Sequence, residues 1–597
     1  MHGRDGGIFL VLAVATSCGE PVRTRFANDT GPVVRIDGGP DGGMCVPGRF
    51  YCEGSNVAFT CDEQGQVASR VTCMGAMQTC VEGLGCRVCT PNAARCSPDN
   101  PQQTQRCRMD GSGWDDSALC NAEDGSSCVA GNCTDRCSAS ALGRSYLGCS
   151  YWPTVTPNSG LDPMFRFAIV LANPQSYPVR ATLTGGELPT PRVITLEPGA
   201  IETVELPWVI PLVQLNPACV RVNNQCINTM SAVSALVRGG AYHVQSNGPI
   251  AAYQFNPLTY SVSDRYFSYS NDASLLLPQG VLTRRYTVST FPDLDPNTPT
   301  GMGYGGFVSI VATTGESTEV TVRVAGRVRA GRGVNAMSAG ETATFTLQQG
   351  DVLQLVGAGR GDLTGTTIES SQPVAVFAGH DCTRVPSDRV ACDHLEEQLL
   401  PDETWGRDYV VSAPRDRGPG VPYVVRILSR VDANAITFEP EDVHAATTLG
   451  RGELLQFQTN RHFRVRGSGA FLVTQFMIGQ GPAVGGTGAG DPAMVQEVPV
   501  PQYRDRYDFF VPNTYPQNFL NVVVPAGVPL TLDDQPLRGS MESLGGFNVM
   551  TLPITAGAHR LRSVAGQGVG IKVYGIAPYT SYMYPGGLDL QLITPPG

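Results

Sequence analysis

A chain of 597 residues is too long for one core, and its net charge of −11 is spread along it with no basic stripe, which excludes a nucleic-acid partner. Charged residues make up only 16%, while Gly (69) and Pro (45) are abundant, a balance that suits strands and turns over long helices. Of the 42 basic side chains a single one, Lys572, is lysine.

The first 18 residues read as an export signal. Arg4 supplies a charged start, residues 8–16 (IFLVLAVAT) a short apolar run, and small residues precede Cys18 in ATSC. The run is too short to span a bilayer. The pattern fits a lipoprotein-type signal peptide that leaves Cys18 to be diacylated. Ala15 stands where Leu is usual, and ordinary cleavage with secretion is the competing reading. Gly19 rather than Asp after the cysteine fits outer-membrane sorting. Residues 19–44 carry Gly, Pro and Asp clusters and read as a flexible tether.

The chain has 19 cysteines, and setting Cys18 aside leaves 18, an even set that requires an oxidising compartment. Thirteen lie in residues 45–137, where long and short gaps recur in the same order after Cys45 and after Cys89. The spacing predicts two disulfide-rich repeats of about 45 residues, too small to hold together by core burial alone. Cys149 completes this set. Cys86 and Cys89 have zinc-ligand spacing, but no second such pair and no His lies nearby, so disulfides are the expectation.

From about residue 140 the texture becomes β: β-branched residues and period-two alternation, broken by Gly, Pro and Asn, as in FRFAIVLANP, VVRILSRV and NVVVPAG. No amphipathic run of helical length stands out; the nearest is DHLEEQLL, residues 393–400, about two turns long. A strand–turn–apolar-strand marker recurs four times, in YHVQSNGPIAAYQF, TTIESSQPVAVFAG, HFRVRGSGAFLVTQF and HRLRSVAGQGVGIKVYG. After the first three copies an acidic, apolar connector leads through a Pro to an aromatic strand, RRYTV, RDYVV and DRYDFFV. The reading is all-β: tandem sandwich-like modules near 145–285, 286–410, 411–508 and 509–597, following the disulfide-rich region. Rod and ring arrangements of the four both fit.

The segment GHDC…ACDHLEEQLLP..TWGRDYVV resembles the one shared by proteins with the IgGFc-binding-protein N-terminal domain. YQFNP…SNDASLLLP and SYLGCSYWP resemble other parts of that domain in its bacterial members. The resemblance covers roughly residues 140–597 and implies an extracellular β module used in adhesion or ligand binding. No binding residue carries over from it.

No GxSxG elbow, HExxH or P-loop is present. GMGYGG (301–306) leads into FVSIVA, a strand rather than the helix a dinucleotide loop requires. The one concentrated polar cluster is His380, Asp381, Asp393, His394 and Glu397, beside a Cys382/Cys392 pair whose bridging would bring GHD next to CDH. Such a set can hold a divalent cation. It can equally satisfy loop backbone at a module junction, and the first-module counterpart SNDASLLLP, with no His and no Cys, favours that structural clamp. Asp293, Asp295 and Asn297 alternate as calcium ligands do, but without the Gly and Glu of an EF-hand, so turn chemistry is the preferred reading. Cys219 and Cys226 read as a second local staple. The tail YTSYMYPGG (579–587) could stack on sugars or a partner, or cap the last module.

The expected protein is therefore an exported, lipid-anchored surface protein of the cell envelope, or a secreted one. It would touch the membrane through its N-terminal lipid and bind an extracellular glycoprotein or glycan through repeated β modules, with no cofactor and no enzymatic activity. A surface-polymer hydrolase and a structural envelope component without a defined ligand are the alternatives.

Overall fold

The computed structural model describes residues 45–100, 102–121, 125–215, 220–222, 225–227, 231–263, 266–294, 303–389, 391–414, 420–480 and 490–595. Cys18, the tether, Cys219, Asp295 and Asn297 lie outside them. The chain forms two compact units. One holds the residues up to Leu119 with Cys128–Cys133, and the other holds Cys120–Ser127 with Thr134–Gly597. Among the described residues no helix is long and apolar enough to cross a membrane.

The first unit is built from short antiparallel sheets: Phe50–Glu53, Val57–Cys61 and Val67–Thr72 form one, and Ala94–Cys96, Gln103–Cys107 and Trp114–Leu119 another. Its core is largely cystine, with Ala58, Cys73 and Cys80 buried against Cys52 and Cys86. Disulfides join Cys45 to Cys61, Cys52 to Cys80 and Cys73 to Cys86 in the first repeat, and Cys89 to Cys107 and Cys96 to Cys128 in the second. Cys86 and Cys89 are thus both oxidised, which removes the zinc alternative.

In the second unit the strands fall into four sets with one hydrogen-bonding order. In the second sandwich, strands one, six, three and four (Arg285–Thr287, Thr367–Ser370, Thr318–Arg323, Thr342–Leu347) form one sheet. Strands five, two, seven and eight (Val352–Val356, Gly306–Ala312, Val374–Thr383, Asp393–Gln398) form the other. The third sandwich repeats this order from Asp408–Val411 to Met494–Gln496, and the fourth from Arg506–Val511 to Thr580–Pro585. In the first, strands six and seven are one continuous strand, Tyr242–Phe255, and strand eight is Ala273–Leu275. All these pairings are antiparallel. Ala235–Val237, which follows the fifth strand of the first sandwich, instead adds to the second sandwich at Val352–Val356.

Each set repeats one tyrosine in its first strand. The hydroxyls of Tyr151, Tyr286, Tyr409 and Tyr507 donate to the carbonyls of Ile250, Val374, Phe471 and Val569, where strand seven begins. Three of them also accept the backbone N–H three residues earlier, from Thr283, Gly406 and Arg504. A buried phenol thus ties the first strand of one sheet to the seventh of the other, and its polar end is satisfied by backbone that would otherwise be orphaned.

The two sheets of a sandwich differ in burial. Thr318–Arg323 and Asn434–Glu439 alternate buried and exposed, as a one-sided sheet must. Phe167–Ala172, Gly306–Ala312 and Tyr423–Ser429 are buried at every position. Their sheet is covered on both faces, by its own sandwich and by the neighbours. Packing between sandwiches runs through Tyr253 with Phe510 and Tyr584 (first and fourth), Phe291 with Phe476 (second and third), and Val495 with Tyr574 and Met583 (third and fourth). The eighth strands meet in a closed circuit, first to second to third to fourth to first, so the four sandwiches stand around a common axis.

Candidate functional site

The axis is polar. Asp272, at the entry to the first eighth strand, is fully buried, and its Oδ2 accepts N–H groups from Glu396 of the second sandwich (3.2 Å) and Met494 of the third (3.1 Å). Its Oδ1 accepts the Ala273 N–H (2.9 Å). Ser274 Oγ accepts the Gln398 N–H and donates to Glu397, and Gln398 Oε1 accepts the Leu277 N–H. Gln496 Oε1 accepts the Leu400 N–H, and Thr580 donates to Asp393 across to the fourth sandwich. Neighbouring eighth strands are therefore joined through side chains reaching backbone. Burial pushes the carboxyls of Asp272, Asp393 and Glu397 well above the ordinary range, and for Asp393 the charges of Asp491 and Asp272 push the same way.

DHLEEQ forms a fully buried strand, not a helix, and the conspicuous polar residues divide among different partners. His380 Nδ1 accepts the Cys382 N–H (3.1 Å), and burial lowers the imidazole to about 3, so it is neutral. Asp381 takes both the N–H and the hydroxyl of Ser159, each at 2.7 Å. Asp393 caps the His394 N–H. The His394 ring stacks on Phe307 at 5.9 Å and turns Nε2 toward Thr156 (3.3 Å), Asn256 (3.4 Å) and Glu396 (3.6 Å). Cys382 and Cys392 are bonded. Among the described residues no group of three His, Cys, Asp or Glu side chains is arranged to hold a metal ion. Asp293, the described member of the calcium pattern, instead accepts the N–H groups of Gly306 (2.8 Å) and Gly361 (3.3 Å), and burial raises it to about 7.

The loops joining strand seven to strand eight gather at one end of the axis. Gly479 of the third donates to Val385 of the second, and Gly490 of the third to Ala577 of the fourth. In the first sandwich this loop carries a short hairpin with Tyr260, Phe267 and Tyr269 in successive ring contact. Tyr269 meets Tyr579 of the fourth edge-on at 5.6 Å. Tyr269 and Tyr579 have φ of 52° and 59°, a left-handed conformation that bulky side chains avoid. Tyr579 is 46% exposed and Val262, at the hairpin, 55%.

The family model described as "IgGFc binding protein" matches residues 272–575, just over half of the chain. The chain belongs to the IgGFc-binding family. It is similar to the "IgGFc-binding protein" of Homo sapiens, at 31% identity over 120 residues, which is 20% of this chain and 2% of the human protein. The chain thus matches only a small part of that relative's length. The family segment begins at the axial Asp272, takes in the second and third sandwiches, and runs through most of the fourth. Together with the disulfide density, the family domain points to an extracellular protein.

Several residues packed at the axis carry no motif. The segment 152–159 (WPTVTPNS) is buried throughout without being a strand. It is held by Thr156 to Glu396 (2.6 Å), by Asn256 to Thr156 (2.6 Å) and by Asn158 to the carbonyls of Asn256 and Ser270. Gln254 pairs with the Thr154 backbone in both directions. The available signal was an isolated amide between two aromatics, Tyr253-Gln254-Phe255, in a strand otherwise apolar.

Proposed function

We propose that this protein is exported, held at the cell surface through a lipid on Cys18, and binds an extracellular glycoprotein or glycan by the loop end of its four-sandwich axis. Its role on this reading is recognition and adhesion, not catalysis. The observation that carries the reading is the aromatic rim. Tyr260, Phe267, Tyr269 and Tyr579 come from two sandwiches and converge at one end, with two tyrosines held in a backbone conformation costing about 1–3 kcal/mol each. Aromatic faces ringed by hydroxyls suit the apolar faces of sugars, and binding by several weak contacts at once raises avidity. Further support comes from the family domain and from the sequence ATSC at residues 15–18.

The test is retention of surface glycans and glycoproteins by the full-length protein, compared with a Tyr269→Ala/Tyr579→Ala variant. Saturable binding that the variant loses is expected. Saturable binding unchanged in the variant would move the site elsewhere, and turnover of a surface polymer without binding would replace recognition by hydrolysis. For the anchor, incorporation of a labelled lipid precursor that disappears in Cys18→Ala is expected; incorporation unchanged in that variant, or none in either protein, refutes it.

A further inference from the structure

Lys572 is the chain's sole lysine. It lies in the seventh strand of the fourth sandwich and is 4% exposed. Its Nζ donates to the Ser412 carbonyl (2.8 Å), to Gln475 Oε1 (2.5 Å) and to Glu497 Oε1 (2.7 Å). These three partners all belong to the third sandwich or the segments joined to it. Gln475 is fully buried, and its own amide nitrogen is held by the same Ser412 carbonyl at 3.0 Å. The lysine amine therefore rests against a primary carboxamide whose orientation is fixed, with a carboxyl group at its other side.

Other buried cations in the second unit, Arg426 and Arg430, are arginines making ordinary ion pairs and carbonyl contacts. A guanidinium supplies charge but stays protonated, whereas a buried lysine can release its proton and act as a nucleophile. Burial lowers Lys572 and raises Glu497, so the pair can exist as free amine and carboxylic acid. A cavity of about 20 Å³, lined by Ser412, Glu497, Asn521 and Lys572 among others, leaves room for one molecule the size of water or ammonia. The two sandwiches joined here contain no cysteine after Cys392, so disulfides cannot tie them.

We propose that Lys572 forms an isopeptide bond with the side chain of Gln475, locking the third sandwich to the fourth. The Nζ lone pair adds to Gln475 Cδ, and the carbonyl π pair moves to Oε1. Glu497, as the carboxylic acid, gives its proton to Nε2, the other nitrogen on the same carbon, and takes one from Nζ. As the carbonyl re-forms, the Cδ–Nε2 bond breaks and ammonia departs. One carbon–nitrogen bond forms and one breaks, with no change of oxidation state and no co-reactant.

Because there is no other lysine, the test is clean. The full-length protein is reduced and denatured, treated with an amine-reactive reagent, and mapped by peptide mass spectrometry. The expected result is a mass deficit of about 17 Da, that of ammonia, a branched peptide joining Lys572 to Gln475, and no label on Lys572. Stoichiometric labelling of Lys572 at full mass overturns the proposal, as does a branch ending on Asn521. In Glu497→Gln, with folding followed by thermal melting, Lys572 becomes reactive to the label. A complete branch in that variant refutes the role given to Glu497. The wild-type map decides the bond even if the variant does not fold.

Discussion

Substituting Asp272→Ala strikes the point where three sandwiches meet. The carboxylate oxygen that accepts from Glu396 and Met494 disappears, as does the one that accepts from Ala273. Three buried N–H groups lose their acceptor, and each such orphan costs about 1–3 kcal/mol. Against this stands relief from burying a carboxyl among Glu396, Glu397 and Asp393, so the net loss is about 2–4 kcal/mol. Asp272→Asn keeps one acceptor oxygen and loses about half as much. The sign of the pH dependence follows from the raised carboxyl. Its contribution to stability is fully present below the unfolded value near 3.8 and fades as pH rises toward the folded value. The Asp272→Ala penalty is therefore larger at pH 5 than at pH 8. Urea denaturation of the full-length protein at both pH values measures it. A loss under about 0.5 kcal/mol, or a penalty that grows with pH, would refute the reasoning.

Tyr409→Phe removes a hydroxyl bridging the Gly406 N–H and the Phe471 carbonyl, and loses about 2 kcal/mol; Tyr579→Phe, at the exposed rim, is near neutral by the same denaturation assay. His380 is lowered from 6.5 to about 3, so its contribution is present above pH 6.5 and is lost as pH falls toward 3, by as much as about 5 kcal/mol. A stability–pH curve whose acid limb flattens in His380→Gln checks this. Opening the bridge in Cys382→Ser/Cys392→Ser frees a loop with a sequence separation of 10 and lowers stability by about 2–3 kcal/mol, read from thermal melting under non-reducing conditions.

The all-β class and the recurrence of a strand–turn–strand marker were legible because turn residues and aromatic strand starts such as RRYTV and RDYVV repeat; the order of the strands was not. The closed arrangement was not legible: rod and ring both fit the sequence, and the trace the ring leaves there reads as ordinary alternation. FRFAIVLANP and VVRILSRV read as alternating strands, but the strands they form, FAIVLA and YVVRILS, are buried at each position because both sheet faces are covered. A strand in an isolated sandwich would have kept a polar face. DHLEEQ reads as part of an acidic, apolar connector rather than a strand, because charged residues in a strand normally mark a wet face. Here the axis supplies partners to Glu396, Glu397 and Gln398, and the residues sit in a buried strand. Asp272 could not be singled out, since its role depends on two backbone N–H groups that lie 124 and 222 residues away. The rim was half legible: the tyrosines of the tail were evident, but their meeting with a hairpin of the first sandwich requires the circuit to close.

The central claim is that the four sandwiches are one cooperative body around a shared polar axis. Hydrogen exchange of the full-length protein, followed by mass spectrometry, addresses it most directly. Peptides from the four eighth strands, Ala273–Leu275, Asp393–Gln398, Met494–Gln496 and Thr580–Pro585, should be among the slowest to exchange and should open together as denaturant is added. Four separate openings, each following its own sandwich, would contradict the account.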